Sequence, residues 1–207
     1  VLSDDLRDNV VAKLPLAQAS KVVVIPNFVD TEVIRPLDRM TKYRDELGID
    51  DRLVVMYAGN VGFSQSLNLL LDAAREFPDV AFVVNGSGAA RSTLETEAKK
   101  LTNVIFGDYQ PIERLSEVLA TADIHAVLLK RGLGKVSVPS KTYSVMAAGR
   151  AVVAAIDPGT EVTRLIDGAK CGCTVPPDDS VALIEALRTM LADFSEIRQM
   201  GERARQF

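Results

Sequence analysis

The chain has 207 residues, 47% of them hydrophobic and 25% charged, and a formal net charge of −4 at pH 7, the composition of an ordinary globular domain with a sizeable core. An acidic balance with no sustained Lys/Arg run argues against nucleic acid as the main partner, since phosphate-backbone binding needs clustered positive charge. No apolar run approaches the roughly 20 residues that span a bilayer, and Cys171 and Cys173 have neither disulfide-framework nor zinc-finger spacing, so they read as buried thiols in a reducing compartment.

The chain opens at Val1-Leu2-Ser3 without a methionine and ends inside a helical pattern at Arg205-Gln206-Phe207, which we read as part of a longer protein. Ser3-Asp4-Asp5 ahead of Leu6, Val10 and Val11 predicts a helix start, with carboxylates favourable in the first turn and Pro15 closing it. Residues 21–25 read as a short buried strand. Pro26-Asn27-Phe28-Val29-Asp30 has turn chemistry and leads through Arg35-Pro36 to a helix over residues 39–47, stopped by Gly48. Residues 1–50 are therefore assigned to a lead and connecting segment, and residues 51–207 to one domain.

From Leu53 onward, apolar strand-like runs alternate with amphipathic helical patterns: LVVMYAG, SLNLLLDAAREF, VAFVVNG, ARSTLETEAKKL, NVIFGDY, IERLSEVLATA and IHAVLLK. A helix over residues 140–148, a strand over 151–156, a helix over 161–166 and a strand over 171–175 continue the rhythm. A helix over 179–191, capped by Asp178 or Asp179, and a last helix from Ser195 complete it. Such alternation predicts an α/β fold, a Rossmann-like open parallel sheet with helices on both faces.

In an open parallel sheet ligands bind beyond the C-terminal strand ends. The loops there carry Gly59-Asn60-Val61-Gly62, Asn85-Gly86-Ser87-Gly88, Gly107-Asp108-Tyr109-Gln110, Lys130-Arg131-Gly132, Ser140-Lys141-Thr142 and Asp157-Pro158-Gly159-Thr160-Glu161. Around the stretch from Val138 to Ile156, Ser140 is placed to cap a helix whose free N–H groups favour an anion, Lys141 adds a positive charge, and Gly149 is placed to end the helix. Taken singly, the glycines can be plain turns, Lys130-Arg131 a solvated pair, Tyr109 packing, and Glu161 a carboxylate complementing a helix dipole. Jointly they suit a nucleotide diphosphate, with backbone and lysine on phosphates, a planar side chain on the base and a carboxylate on ribose. His125 lies inside an apolar run and reads as a core residue. There is no nucleophile elbow, no Cys/His metal spacing and no P-loop motif.

Val24-Ile-Pro-Asn-Phe-Val-Asp30, Tyr57-Ala-Gly-Asn-Val-Gly62 and Pro139-Ser-Lys with Met146-Ala-Ala-Gly-Arg-Ala-Val-Val153 together resemble the C-terminal half of GT-B glycosyltransferases of family GT4. Within that family the segments are most similar to bacterial exopolysaccharide and O-antigen transferases. The resemblance implies a two-domain parent enzyme that transfers sugar with retention of configuration and without a metal or other cofactor. This half would bind a UDP- or GDP-linked sugar, and the facing half would bind a sugar or lipid-linked acceptor. It further implies a cytoplasmic protein, its parent peripheral at the inner face of the cytoplasmic membrane where the acceptor is lipid-linked, and a 207-residue piece inactive alone. The donor-binding candidates are Gly59, Asn60, Gly62, Gly86, Tyr109, Lys130, Arg131, Ser140, Lys141, Thr142 and Glu161, with catalytic residues expected in the other half. Where many members carry two glutamates this chain has Val136 and Ser144, and where many carry an arginine and a lysine it has Asn60 and Gln65. Two further readings are a GT-B sugar-nucleotide epimerase and a non-catalytic nucleotide-sensing domain.

Overall fold

In the computed structural model, which describes residues 1–207, six strands form one parallel sheet: β1 (Val54–Ala58), β2 (Ala81–Asn85), β3 (Val104–Gly107), β4 (Ile124–Leu128), β5 (Ala151–Ala155) and β6 (Gly172–Val175). Their spatial order is β3-β2-β1-β4-β5-β6. The chain builds outward from β1 to β3, then returns to β1's other side and builds outward again. The switch falls between β1 and β4, where a crevice opens past the strand ends.

The helices are α1 (Asp4–Val11), α2 (Lys42–Glu46), α3 (Asn68–Glu76), α4 (Arg91–Ala98), α5 (Leu115–Ala120), α6 (Lys141–Ala147), α7 (Glu161–Ala169), α8 (Ser180–Leu191) and α9 (Phe194–Gln206). The central strands are unbroken apolar runs because both faces are covered. On one face Val55, Tyr57, Phe82, Ile124 and Val153 pack against Leu70 and Leu71 of α3 and Leu183 and Leu187 of α8. On the other, Val127 and Val152 meet Val145 of α6 and Ile166 of α7, while Met56 and Val83 meet Tyr43 and Val118.

Two expectations about the opening segment are corrected. Residues 21–25 form no strand: Leu16–Lys21 is a 3₁₀ turn, and Val23 and Ile25 are each 63% exposed. Their only ladder-like partner is the chain start, with Val1 N donating to Val23 O and Ile25 N to Val1 O, both at 2.8 Å. An apolar run becomes a buried strand only with a sheet edge to join, and the edge strands β3 and β6 do not pair with it. The helix expected over residues 39–47 shortens to α2 because Asp38 accepts from Met40 N at 2.7 Å and Thr41 caps Arg44 N at 3.1 Å, while Gly48 at φ +68° ends it as read.

A buried charge cluster fastens this segment to the N-terminal ends of β1 and β4. Asp123, 4% exposed, accepts from Arg39 at 2.6 Å, from the fully buried Arg44 at 3.4 Å and from Val54 N at 2.8 Å. A carboxylate this deep is tolerable only when paired and fully hydrogen-bonded. Ile34, Tyr43 and Ile49 of this segment add apolar contacts with the packed body. At the other end of the lead, Asp5 of α1 accepts from Glu161 N at 3.0 Å and from Arg164 at 2.7 Å, docking α1 on the start of α7. No helix is long and apolar enough to cross a membrane.

Candidate functional site

Past the ends of β1 and β4 lies a cleft of two chambers that share Ala58, Gly59, Lys141 and Ser144. The larger, about 540 Å³, is walled by Phe28, Tyr57, Asn60, Gln65, Leu128, Leu129 and the segment Ser137 to Ser140. The smaller, about 140 Å³, is walled by Asn85, Tyr109, Gln110, Leu115, Val118 and Leu119. Lys141 is the one charged side chain among the lining residues, and no carboxylate faces either chamber.

The floor depends on two glycines. Gly59 ends β1 with φ +133°, and a Cβ there would lie 3.0 Å from Lys141 Nζ. Gly86 ends β2 with φ +134°, and a Cβ there would collide with the Gly59 carbonyl. Both backbones sit where an L side chain is strained and where space is lacking. The two loops are then zipped by Gly59 N to Asn85 O at 2.8 Å, Val61 N to Ser87 O at 2.9 Å and Ala90 N to Val61 O at 3.0 Å.

Lys141 begins α6 and folds inward, its Nζ buried without a hydrogen-bond partner and 3.4 Å from the centroid of the Tyr57 ring. Burial pulls its pKa down to about 7. The Tyr57 hydroxyl donates to Asn60 O at 2.6 Å, and burial pushes its pKa up. Beside it, Asn85 is 4% exposed and its side-chain oxygen accepts from the Tyr43 hydroxyl, so the Asn85 amide is fixed at the end of β2. Gln110 is held by Arg114, which donates to its side-chain oxygen at 2.9 Å.

The expected cap at Ser140 is not made. Its backbone is already helical, at φ −60° and ψ −25°, and its side chain forms no capping bond. A cap residue needs an extended backbone to aim its oxygen at the next turn. Here the chain winds one residue early, with Pro139 O accepting from Thr142 N and Ser140 O from Tyr143 N, both at 3.1 Å. The Ser140 side chain is left exposed at the mouth of the larger chamber. Gly149, at φ +66°, ends α6 as read.

Of the sequence candidates, Gly59, Asn60, Tyr109, Ser140 and Lys141 line the cleft. Gly86 supports its floor from below, and Thr142 is fully buried in the body, its hydroxyl without a partner. Gly62 and Lys130 line a neighbouring groove of about 370 Å³ with Phe63 and Asp178. Arg131 is turned to that side, its N–H donating to Asp178 at 3.0 Å and its guanidinium to Pro177 O at 3.2 Å. Glu161 pairs with Arg164 at 3.2 Å at the head of α7 and lines neither chamber. Tyr57, Asn85 and Phe28 lie in segments noted in the sequence but were not among the donor-binding candidates. The signal for Asn85 was there, a polar residue closing the apolar run VAFVVN at a strand's C-terminal end.

His125 is 1% exposed, its Nε2 2.9 Å from Leu119 O, and burial pulls its pKa to about 4, so it is the neutral core residue expected. Cys171 is buried and Cys173 half-buried; both are unpaired, and burial pushes Cys171 up to about 11. No group of three or more His, Cys, Asp or Glu side chains is placed to hold a metal ion.

The family described as Glycosyl transferases group 1 is matched over residues 52–193. Over 185 residues the chain is 30% identical to the putative colanic acid biosynthesis glycosyl transferase WcaI of Escherichia coli K12, spanning 84% of this chain and 44% of that protein. Over 137 residues it is 34% identical to the probable glycosyltransferase WbjE of Pseudomonas aeruginosa, spanning 63% of this chain and 34% of that protein. The chain thus spans less than half the length of these two relatives. Among solved structures, Anabaena HepE in complex with UDP and glucose superposes with a TM-score of 0.75 at 20% identity, over 91% of this chain and 52% of that one. The C-terminal domain of the glycosyl transferase group 1 protein LpcC from Francisella tularensis superposes with a TM-score of 0.68 at 20% identity, over 86% of this chain and 95% of that one. At such identities the likeness is one of fold, and it places this sheet with the C-terminal domains of GT-B proteins.

Proposed function

The chain belongs to the glycosyl transferases group 1 family, and on that premise we propose that it is the donor-binding half of a retaining glycosyltransferase that builds a surface polysaccharide or glycolipid. The donor is a nucleotide diphosphate sugar, UDP- or GDP-linked, seated in the cleft between the ends of β1 and β4. The observation that carries this reading is Lys141, a buried amine without a partner where the two chambers meet, in a cleft with no acid to neutralise it. Such a group is stable in its charged form only when a ligand brings the counter-charge.

In this reading the diphosphate lies against Lys141 and the Gly59 backbone. The smaller chamber, with Tyr109 at its wall, takes the base, and the larger takes the sugar near Asn60 and Ser140. Gly62 and Gly86 shape the loops and Thr142 packs inside α6, while Lys130, Arg131 and Glu161 stay at the periphery. As the bond from the anomeric carbon to the diphosphate oxygen breaks and the acceptor oxygen bonds to that carbon, negative charge builds on the departing oxygen, and the Lys141 ammonium offsets it. This chemistry draws on no metal or other cofactor. The acceptor, a sugar or lipid-linked saccharide, is bound by a facing half, which puts the parent at the inner face of the cytoplasmic membrane when the acceptor is lipid-linked. Transfer needs both reactants in register, so these 207 residues bind donor without turning it over.

Calorimetric titration of the chain with UDP, GDP and NAD tests the reading. Binding of UDP or GDP with a Kd of about 1 mM or tighter, lost in Lys141→Met, is expected. No heat from either nucleotide diphosphate with the folded domain contradicts it.

A further inference from the structure

Lys141 is surrounded on every side by groups that offer its ammonium no negative charge. From β1 it meets the Tyr57 ring at 3.4 Å, and that residue's hydroxyl is already committed to Asn60 O. From β4 the nearest ionisable group is His125, which is buried and hydrogen-bonded to Leu119 O. From β2 comes the neutral amide of Asn85, and from the loop after β3 the phenol of Tyr109 and the amide of Gln110. The helix α5 presents Leu115, Val118 and Leu119. On α6 itself Ser144 lines the same cleft, and the buried Tyr143 hydroxyl faces Glu161, an acid that is paired with Arg164 and lines neither chamber. The amine has no hydrogen-bond partner, and the side chain that carries it lines both chambers of the cleft.

We propose that binding a nucleotide diphosphate in this cleft takes up one proton from solvent at Lys141 Nζ, so that donor affinity is set by pH across the neutral range. The inference rests on the donor reading above and adds a linkage to it. The step is an amine gaining a proton to become an ammonium, with no other bond made or broken. In the free chain, burial holds the amine's pKa at about 7, so at neutral pH a large share of molecules carry it neutral. A diphosphate against the nitrogen favours the charged form and moves the titration up by two units or more. Affinity is therefore fully developed below the free-state pKa and falls about tenfold per pH unit above it, until the bound-state pKa is passed.

The probes are UDP-glucose and GDP-mannose, whose phosphates are all diesterified and do not titrate between about pH 6 and 9, unlike the terminal phosphate of UDP near 6. Calorimetry at pH 8 in buffers of different ionisation heat is expected to show uptake of about 0.8 to 0.9 proton per ligand bound, shrinking to about 0.1 at pH 6. In Lys141→Arg, where the charge is permanent, uptake vanishes. NMR of the lysine side chains, with Lys141 assigned by its absence in Lys141→Gln, is expected to move the midpoint from about 7 in the free chain to above 9 with ligand. Binding without net proton uptake at pH 8, or a Lys141 midpoint that ligand does not move, overturns the linkage while leaving the donor reading standing. No binding of either probe by a chain whose Lys141 does titrate near 7 overturns the donor reading and the linkage with it.

Discussion

Gly86 packs against the carbonyl of Gly59 so closely that a Cβ on Gly86 would overlap that oxygen. The loops after β1 and β2 are therefore one unit, and the floor beneath Lys141 is only as well placed as this contact. Gly86→Ala is expected to lower stability by about 3 kcal/mol, the sum of backbone strain and a forced shift of the β1 loop. Gly132→Ala, also at positive φ but facing open space, should cost about 1 kcal/mol. Urea unfolding of the two variants side by side checks the difference, and equal losses would mean that the Gly59 contact is not what Gly86 provides.

Asp123 is the one buried carboxylate between Arg39 and Arg44, and Val54 N also depends on it. Removing it in Asp123→Ala leaves a fully buried guanidinium uncompensated, and a loss of about 3–5 kcal/mol is expected. Asp50→Ala, which breaks an exposed pair with Arg52, should cost under about 1 kcal/mol. Denaturant midpoints of both variants measure this.

The buried imidazole of His125 gives a pH signature. Its folded pKa near 4 lies below its ordinary 6.5, so the unfolded chain binds the proton more readily between those values. Stability from this group is complete above about 6.5 and is lost as pH falls through 4, amounting to about 3 kcal/mol in all. His125→Phe should flatten the stability profile between pH 4 and 6.5, as read from thermal melts across that range.

Lys141 shows the opposite side of the same physics. A buried amine without a partner destabilises the free fold, so Lys141→Met is expected to raise the free chain's stability at pH 7 by roughly 1–3 kcal/mol while abolishing nucleotide binding. Glu161→Gln, altering a residue outside both chambers, should change nucleotide affinity less than about twofold. Melting and titration of the two variants together check the pair of statements.

The sheet was legible because its central strands are buried on both faces. Runs such as VVMYA and AVVAA have no alternation to mislead, and α8 begins at Asp179, one of the two caps the sequence offered. Residues 21–25 misled because an apolar run does not show whether a sheet edge is within reach, and Val23 and Ile25 have none. Ser140 misled because cap chemistry reads the same whether the chain enters extended or already wound. Gly59, Asn60, Tyr109, Ser140 and Lys141, read from loop position after a strand, line the cleft. The gathering of Tyr57 under Lys141, and the dispersal of Arg131 and Glu161 to other partners, depend on side-chain directions that no local spacing encodes. The Arg44–Asp123 pair lay hidden for the same reason, its partners being 79 residues apart.

A nucleotide diphosphate is expected to sit in the cleft past the ends of β1 and β4. Amide chemical-shift mapping of the labelled 207-residue chain with UDP and with GDP is expected to show the largest changes at Gly59, Asn85, Tyr109, Lys141 and Ser144. Changes gathered instead at Gly62, Ser66 and Asp178 in the neighbouring groove, or at Arg39, Arg150 and Arg198 in the depression at the opposite end of the sheet, with Gly59 and Ser144 unmoved, would contradict it.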